Sequence, residues 1–185
     1  IMTIFNKVSL VDQNILTNTV SKILPINYDK ININILENFY YNNVQNKNED
    51  SYLKYYYNID HEKNVIWLGD YIRDHYRLKF NKTPLLLFKA GIVITQGDQI
   101  NYHQHIDEYN LENSPDISAI VVSKVGDKPN YIEFEYDQGR KKHMKYRKLL
   151  NQKELIIFNS EIKHCITKNY NHEPTLLLSF KFQLV

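Results

Sequence analysis

Tyr-His-Gln-His-Ile-Asp-Glu-Tyr, residues 102–109, carries the most specific pattern of polar side chains in this sequence. Residues two apart in a β-strand face the same side. An extended strand here would therefore point His103, His105 and Asp107 in one direction. The pair His105 and Asp107 offers an imidazole and a carboxylate at the spacing that lets both reach one metal ion. The stretch therefore predicts two ligands of a metal site on a strand.

A third ligand must come from another part of the chain. His164 is the candidate, because it follows Glu-Leu-Ile-Ile-Phe-Asn-Ser, residues 154–160, which has the composition of a buried strand. Two histidines and one carboxylate that leave other positions open are typical of a non-haem Fe(II) site. We therefore predict that His105, Asp107 and His164 bind iron and act as the catalytic centre.

Composition limits the alternatives. The chain has 185 residues, of which 43% are hydrophobic, and this is enough for one domain with a packed core. A net charge of +2 gives no strong electrostatic argument for a nucleic-acid or membrane partner. The single cysteine, Cys165, excludes an internal disulfide, and no apolar run is long enough to span a bilayer. We expect a cytoplasmic protein.

The two parts of the chain differ in the period of their apolar residues. Segments 12–24, 31–42 and 70–80 have helical spacing, which predicts a helical part over residues 1–84. From residue 85 to residue 185 short apolar stretches alternate with turn residues, as in a jelly-roll. The expectation is one domain, 1–185: a double-stranded β-helix flanked by helices. The predicted strands are 85–95, 100–107, 117–124, 130–136, 142–148, 154–159, 163–168 and 175–184.

The run Gly-Arg-Lys-Lys-His-Met-Lys-Tyr-Arg-Lys, residues 139–148, is basic and invites a nucleic-acid interpretation. A solvated edge strand is the better interpretation, because Lys and Arg protect sheet edges from unwanted pairing. Residues 133–137 are acidic and precede a turn, so cross-strand ion pairs are expected to neutralise the run.

Residues 85–185 resemble the Fe(II)/2-oxoglutarate-dependent oxygenases. The resemblance rests on the His105-Ile106-Asp107 motif and on His164, together with the apolar segments around them, 87–91, 117–122, 154–160 and 176–182. It implies that iron is chelated by 2-oxoglutarate and that molecular oxygen is used to hydroxylate a substrate. The substrate would be a small molecule or a peptide, and its identity is not encoded in these motifs.

The sequence departs from the family where the far carboxylate of 2-oxoglutarate is held. The resemblance places an Arg or Lys about ten residues beyond the distal histidine, and this sequence has Thr175 there. Some members use a lysine from a strand soon after the first motif, and Lys124 has that position. We therefore predict Lys124 as the anchor, with Lys89 as a second candidate and Thr175 as a neutral hydrogen-bonding helper.

A cupin is the alternative, because it shares the jelly-roll fold. In that interpretation His103, His105, Glu108 and His164 would bind the metal. Gly97 fits the first cupin motif, but the Pro and Gly that the second motif needs before His164 are absent. Such a protein could be an isomerase, a dioxygenase or a binding module. A jelly-roll binding module without a metal is the third hypothesis.

Overall fold

The structure, a computed structural model, describes residues 15–19, 56–58, 63–106, 109–138 and 140–185. This part of the chain contains ten strands, one α-helix and a short 3₁₀ turn at Leu111–Asn113. The strands and the helix, in chain order, are β1 Ile15–Thr19, β2 Tyr56–Asn58, α1 Lys63–Phe80, β3 Pro84–Ile94, β4 Ile100–His103, β5 Ile117–Lys124, β6 Tyr131–Gln138, β7 Lys141–Leu149, β8 Glu154–Asn159, β9 Lys163–Ile166 and β10 Thr175–Leu184.

The strands form two antiparallel sheets. The major sheet has the order β1-β8-β5-β10-β3-β2, and the minor sheet has the order β4-β9-β6-β7. Strands distant in sequence are neighbours in both sheets, as the pairing of β10 with β3 and β5 shows. The predicted fold class, a mainly β jelly-roll, agrees with this arrangement of two sheets.

Two clusters of buried side chains form the core on either face of the major sheet. The helix-side cluster joins α1 to the sheet through Leu68 and Ile72, which are four residues apart and therefore share one helix face. The inter-sheet cluster fills the space between the two sheets. Its members come from both sheets and include Ile92, Ile120, Val122, Ile132, Phe134, Ile156, Phe158 and Leu177.

Helix α1 confirms the helix expected over residues 70–80, although it begins earlier, at Lys63. It ends at Phe80 because Asn81 adopts a left-handed conformation with φ of 52°. Asparagine tolerates this region better than most residues do, and its amide N–H still donates to the carbonyl of Arg77 at 2.9 Å. This cap turns the chain into β3.

The helix predicted over residues 12–24 is wrong for its central part. Ile15–Thr19 is a strand that pairs with β8, so that Ile15 lies opposite Phe158 and Thr19 opposite Glu154. Short apolar segments do not distinguish a helix from a strand by period alone, and β-branched residues favour the strand. The helix predicted over residues 31–42 lies outside the described residues.

Most of the predicted strands from residue 85 onward are confirmed. The bounds of β5, β8 and β10 agree with the predictions, whereas the strand expected over 100–107 ends at His103. The basic strand β7 pairs with the acidic strand β6, and its lysine and arginine side chains form ion pairs with Glu133 and Asp137. Within the described residues, no helix is long and apolar enough to cross a membrane.

Candidate metal centre

Three histidine side chains converge at one end of the space between the sheets. His103 is the last residue of β4, His105 lies just beyond that strand, and His164 is on β9. Their ring centroids are 4.3 Å (His103–His164), 4.8 Å (His103–His105) and 4.9 Å (His105–His164) apart. One nitrogen from each ring lies within 4.8 Å of the other two. The three imidazoles can therefore converge on a single ion.

Strand pairing places two of these residues side by side. His103 and His164 are directly opposite each other in the antiparallel pair of β4 and β9, and such opposed residues share a face of the sheet. His105 lies outside the strand, contrary to the prediction that one extended strand would align it with His103. It is held instead by its backbone N–H, which donates to the carbonyl of Ser160 at 3.0 Å.

Hydrogen bonds select the tautomer of two of the rings. Nδ1 of His103 lies 2.9 Å from the carbonyl oxygen of Asn101, and Nδ1 of His164 lies 2.9 Å from that of Ile162. A carbonyl can only accept, so each Nδ1 carries the proton and each Nε2 keeps its lone pair. Metal-binding histidines are commonly oriented by such a bond to the nitrogen that does not bind the metal.

Burial keeps the imidazoles neutral. His164 is only 1% exposed, and burial lowers its pKa to about 3, with a smaller contribution from His103. Burial is also the largest cause that lowers the pKa of His103 and His105. A neutral imidazole has a free lone pair, so protons do not compete with a metal at neutral pH.

The donor set fits a divalent metal ion. Nε2 of His103 is buried and has no hydrogen-bond partner among the described residues, an arrangement that costs about 1–3 kcal/mol. Metal–imidazole bonds of about 2.1 Å place two bound nitrogens at most about 4.2 Å apart. A small side-chain rotation therefore suffices to bring the rings onto one ion.

Lys181 is a charged residue near the histidines that sequence reasoning missed. Its charge lowers the pKa of His103, His105 and His164, after burial. Burial lowers the pKa of Lys181 itself to about 8. The alternation of side chains along β10 could have identified it. Lys181 is four residues after Leu177, which packs between the sheets, so both side chains lie on the same face of the strand.

The residues predicted to anchor 2-oxoglutarate are not brought to the histidines. Lys124 is opposite Leu176 and forms an ion pair with Glu173 at 3.1 Å. It lies six residues beyond Ser118, the β5 residue opposite Lys181, which corresponds to about 20 Å along the strand. Its position thus gives no support to the predicted role.

Thr175 and Lys89 are also placed away from the centre. Thr175 is fully buried at the start of β10, opposite Ile94, at the same end as Lys124. Lys89 is opposite Phe180, whose side chain belongs to the helix-side cluster, so Lys89 faces away from the space between the sheets. Asp107 and Glu108, the predicted carboxylate ligands, lie outside the described residues.

A surface cavity of about 430 Å³ lies on the outer face of the minor sheet. Tyr102 and Cys165 line it. Each is next to a cluster histidine in the sequence, and successive side chains of a strand point to opposite faces. Beneath them Glu133 accepts hydrogen bonds from Tyr102, Lys145 and Arg147. This network joins β4, β6 and β7 and spans β9, which lies between β4 and β6 in the minor sheet.

No family model and no curated protein matches the sequence. Solved structures do match the fold. A prolyl-4-hydroxylase from Pseudomonas putida is 10% identical and aligns with a TM-score of 0.61 over 92% of each chain. The non-haem alpha-ketoglutarate-dependent epimerase SnoN of nogalamycin biosynthesis is 10% identical, with a TM-score of 0.65 over 92% of this chain and 76% of its own.

HygX from Streptomyces hygroscopicus, solved with nickel and 2-oxoglutarate bound, is 10% identical and aligns with a TM-score of 0.64 over 92% of this chain and 82% of its own. Identities this low show a shared fold and leave the chemistry to be argued from the site. The resemblance to the Fe(II)/2-oxoglutarate-dependent oxygenases, first seen in the sequence motifs, is therefore confirmed at the level of the fold.

Proposed function

We propose that this protein is a non-haem Fe(II)- and 2-oxoglutarate-dependent oxygenase that oxidises a C–H bond, most simply by hydroxylation. The observation that carries the proposal is the cluster of His103, His105 and His164, neutral and convergent, beside the cation Lys181. Iron held there would supply redox chemistry with molecular oxygen. In the overall reaction one oxygen atom enters the substrate and the other enters succinate, while carbon dioxide leaves 2-oxoglutarate.

His105 and His164 are the two predicted ligands within the described residues, and the 4.9 Å between their ring centroids supports the proposal that they share one ion. Asp107 stays a prediction for the third position, and His103 is the rival for it. The position of His103 in the cluster also supports the cupin-like alternative, because that hypothesis includes His103 among the metal ligands. The two functions differ in cosubstrate, so 2-oxoglutarate binding separates them.

Lys181 is our choice for the residue that holds the far carboxylate of 2-oxoglutarate, in preference to Lys124. On β5 the residue opposite Lys181 is Ser118, and the Ser118 hydroxyl lies 2.8 Å from that of Ser160. Both serines are almost fully buried. A lysine next to buried hydroxyl groups can neutralise and hydrogen-bond a carboxylate that would otherwise be costly to bury.

Ser160 connects the proposed carboxylate site at Lys181 and Ser118 to the metal centre. Ser160 accepts the backbone hydrogen bond of His105 through its carbonyl, while its side chain contacts Ser118. Phe88 is opposite Lys181 on β3, and the ammonium lies 5.0 Å from the centre of its ring. The half-exposed ring of Phe88 therefore packs against Lys181 from one side through a cation–π contact.

The decisive experiment is a titration of 2-oxoglutarate into the anaerobic Fe(II) protein, followed by the metal-to-ligand charge-transfer band in the visible. We expect a saturable band in the wild type. Lys181→Met should weaken binding by about 10-fold or more, because charge-assisted hydrogen bonds contribute roughly 1.5–3 kcal/mol. Lys124→Met is the matched control and should leave the affinity unchanged.

A second measurement tests turnover without knowledge of the substrate. Slow oxidation of 2-oxoglutarate under isotopically labelled oxygen gas should place one labelled atom in succinate. The His164→Ala variant should form none above background. A wild-type protein that binds iron but gives neither the band nor labelled succinate would reject the oxygenase and leave a metal-binding jelly-roll.

A further inference from the structure

The cavity of about 430 Å³ on the outer face of the minor sheet is a second place where a small molecule can bind. Small-molecule sites in proteins typically have volumes of about 300–1,000 Å³. Strands β4, β6, β7 and β9 contribute to its wall, together with the segment that follows β9. Because successive side chains of a strand point to opposite faces, the minor sheet separates this wall from the three histidines.

The described wall of this cavity is positively charged. It contains Arg147 and Lys168 and no acidic side chain. Glu133 lies beneath it and forms ion pairs with Arg147 and Lys145, so that one carboxylate faces two cations there. Lys168 has no ion-pair partner within the described residues, and its ammonium lies 5.9 Å from the centre of the Tyr170 ring. The charges of the wall therefore favour an anionic ligand.

Arg147 is held in an orientation that suits anion binding. Its Nε and Nη2 donate to Glu133 at 3.0 Å and 2.8 Å, and its guanidinium carbon lies 5.2 Å from the centre of the Tyr131 ring. The third nitrogen, Nη1, makes no hydrogen bond to the described residues. A guanidinium that is already oriented loses little freedom when it donates to a phosphate oxygen.

Three tyrosines give the cavity an aromatic lining: Tyr102, Tyr131 and Tyr170. The side chains of Tyr102 and Tyr170 are 37% and 58% exposed, which is high for large aromatic residues. Exposed aromatic rings beside cations stack with planar rings and tolerate differences between them. The lining therefore favours a ligand that has a flat ring as well as an anionic group.

We propose that this cavity binds a nucleotide, that is, a planar aromatic base joined through a sugar to a phosphate monoester. A phosphate monoester carries close to two negative charges at neutral pH, which matches Arg147 and Lys168. The base stacks on Tyr170, the more exposed of the two accessible tyrosine rings. The cavity and the histidines lie on opposite faces of the minor sheet, so this site does not depend on the proposed oxygenase function.

The test is isothermal titration calorimetry of the whole chain with adenosine monophosphate, adenosine and ribose phosphate as probes. We expect saturable binding of adenosine monophosphate with a Kd of about 1 mM or tighter. Adenosine lacks the phosphate and ribose phosphate lacks the base, so each should bind at least about 5-fold more weakly. A metal chelator should leave the binding unchanged. No saturable binding, equal affinity for ribose phosphate, or loss of binding with chelator would overturn the proposal.

Two exposed residues of the cavity can be substituted with little risk to the fold. Lys168→Met should weaken the binding of adenosine monophosphate by about 10-fold or more. Lys163→Met is its control, because Lys163 is an exposed lysine of β9 outside the described wall. Tyr170→Leu should weaken binding by about 5-fold or more, and Tyr109→Leu, at a side chain that is 99% exposed, is its control. Unchanged affinity in either cavity variant, or an equal loss in its control, would contradict the site.

The chemical shifts of backbone amides locate the ligand without any substitution. Adenosine monophosphate should shift the amides of residues 99–102 and 165–170, which contribute most of the lining. The amides of β5 should stay in place. Shifts confined to β5 and β10 around Lys181 would mean that the phosphate occupies the proposed carboxylate site, and they would reject the outer cavity.

Discussion

His103 and His164 face each other across the antiparallel pair of β4 and β9, with ring centroids 4.3 Å apart. Both rings are neutral, and both direct a lone pair into the space between the sheets. Burial disfavours protonation of both rings, so their lone pairs stay available to bind a metal cation. The consequences are measurable in stability, in pH dependence and in the response to single substitutions.

Metal binding should stabilise the folded protein. An ion that binds only the native state at about 100 times its dissociation constant adds about 2.7 kcal/mol to the free energy of unfolding. We expect Ni(II) to raise the melting temperature of the wild type but not that of His164→Ala. Differential scanning calorimetry with and without chelator measures both. An equal rise in the two proteins would place the metal elsewhere.

The affinity for 2-oxoglutarate should fall in alkaline solution. The pKa of Lys181 is lowered to about 8 by burial, so its cationic form dominates below that pH and is lost above it. Under the proposed function, a dianion should therefore bind progressively less well as the pH rises through about 8. Lys181→Arg keeps its charge throughout this range. Its affinity should stay flat, and parallel profiles for the two proteins would contradict the assignment.

Glu133 should contribute stability that disappears in acid. Its pKa is lowered to about 2, chiefly by the hydrogen bonds from Tyr102 and Arg147. A carboxyl group whose folded-state pKa lies below its unfolded value stabilises the fold above the unfolded pKa of about 4.3. This contribution is lost as the pH falls from there towards about 2. Urea midpoints at several pH values should show a shallower acid dependence for Glu133→Gln than for the wild type.

Glu161→Gln is the matched control, because it makes the same substitution at an exposed side chain. At neutral pH Glu133→Gln should also cost about 1–2 kcal/mol, since hydrogen bonds to a charged group are lost in part. Identical acid profiles for wild type and Glu133→Gln would show that the network with Arg147 and Lys145 contributes nothing.

Substitution of Lys124 should have little effect on the free energy of unfolding. Its ion pair joins a side chain that is 22% exposed to Glu173, which is 63% exposed. Exposed pairs contribute about 0–1 kcal/mol. Lys124→Met should therefore shift the urea midpoint only slightly. A loss of stability well above 1 kcal/mol would show that the side chain has a further role at this end of the sheet.

Much of the fold could be predicted from the sequence, because strand formation depends on local patterns. The bounds of β5 and β10 follow from apolar residues flanked by turn residues. The strand Ile15–Thr19 could not be predicted, since its partner is β8, more than a hundred residues later. Only tertiary pairing distinguishes such a segment from a helix of the same composition.

The sequence by itself determined which histidines are candidates, because the spacing of His103 and His105 and the strand before His164 are local features. The tertiary structure decided which side chains meet. The register of β4 with β9 places His103 opposite His164. The register of β5 with β10 places Lys124 six residues away from the position opposite Lys181, whose charge acts on the histidine cluster. The sequence shows which residues of one strand share a face, because side chains alternate along it. It does not show which distant strands pair, because that pairing depends on packing between the sheets.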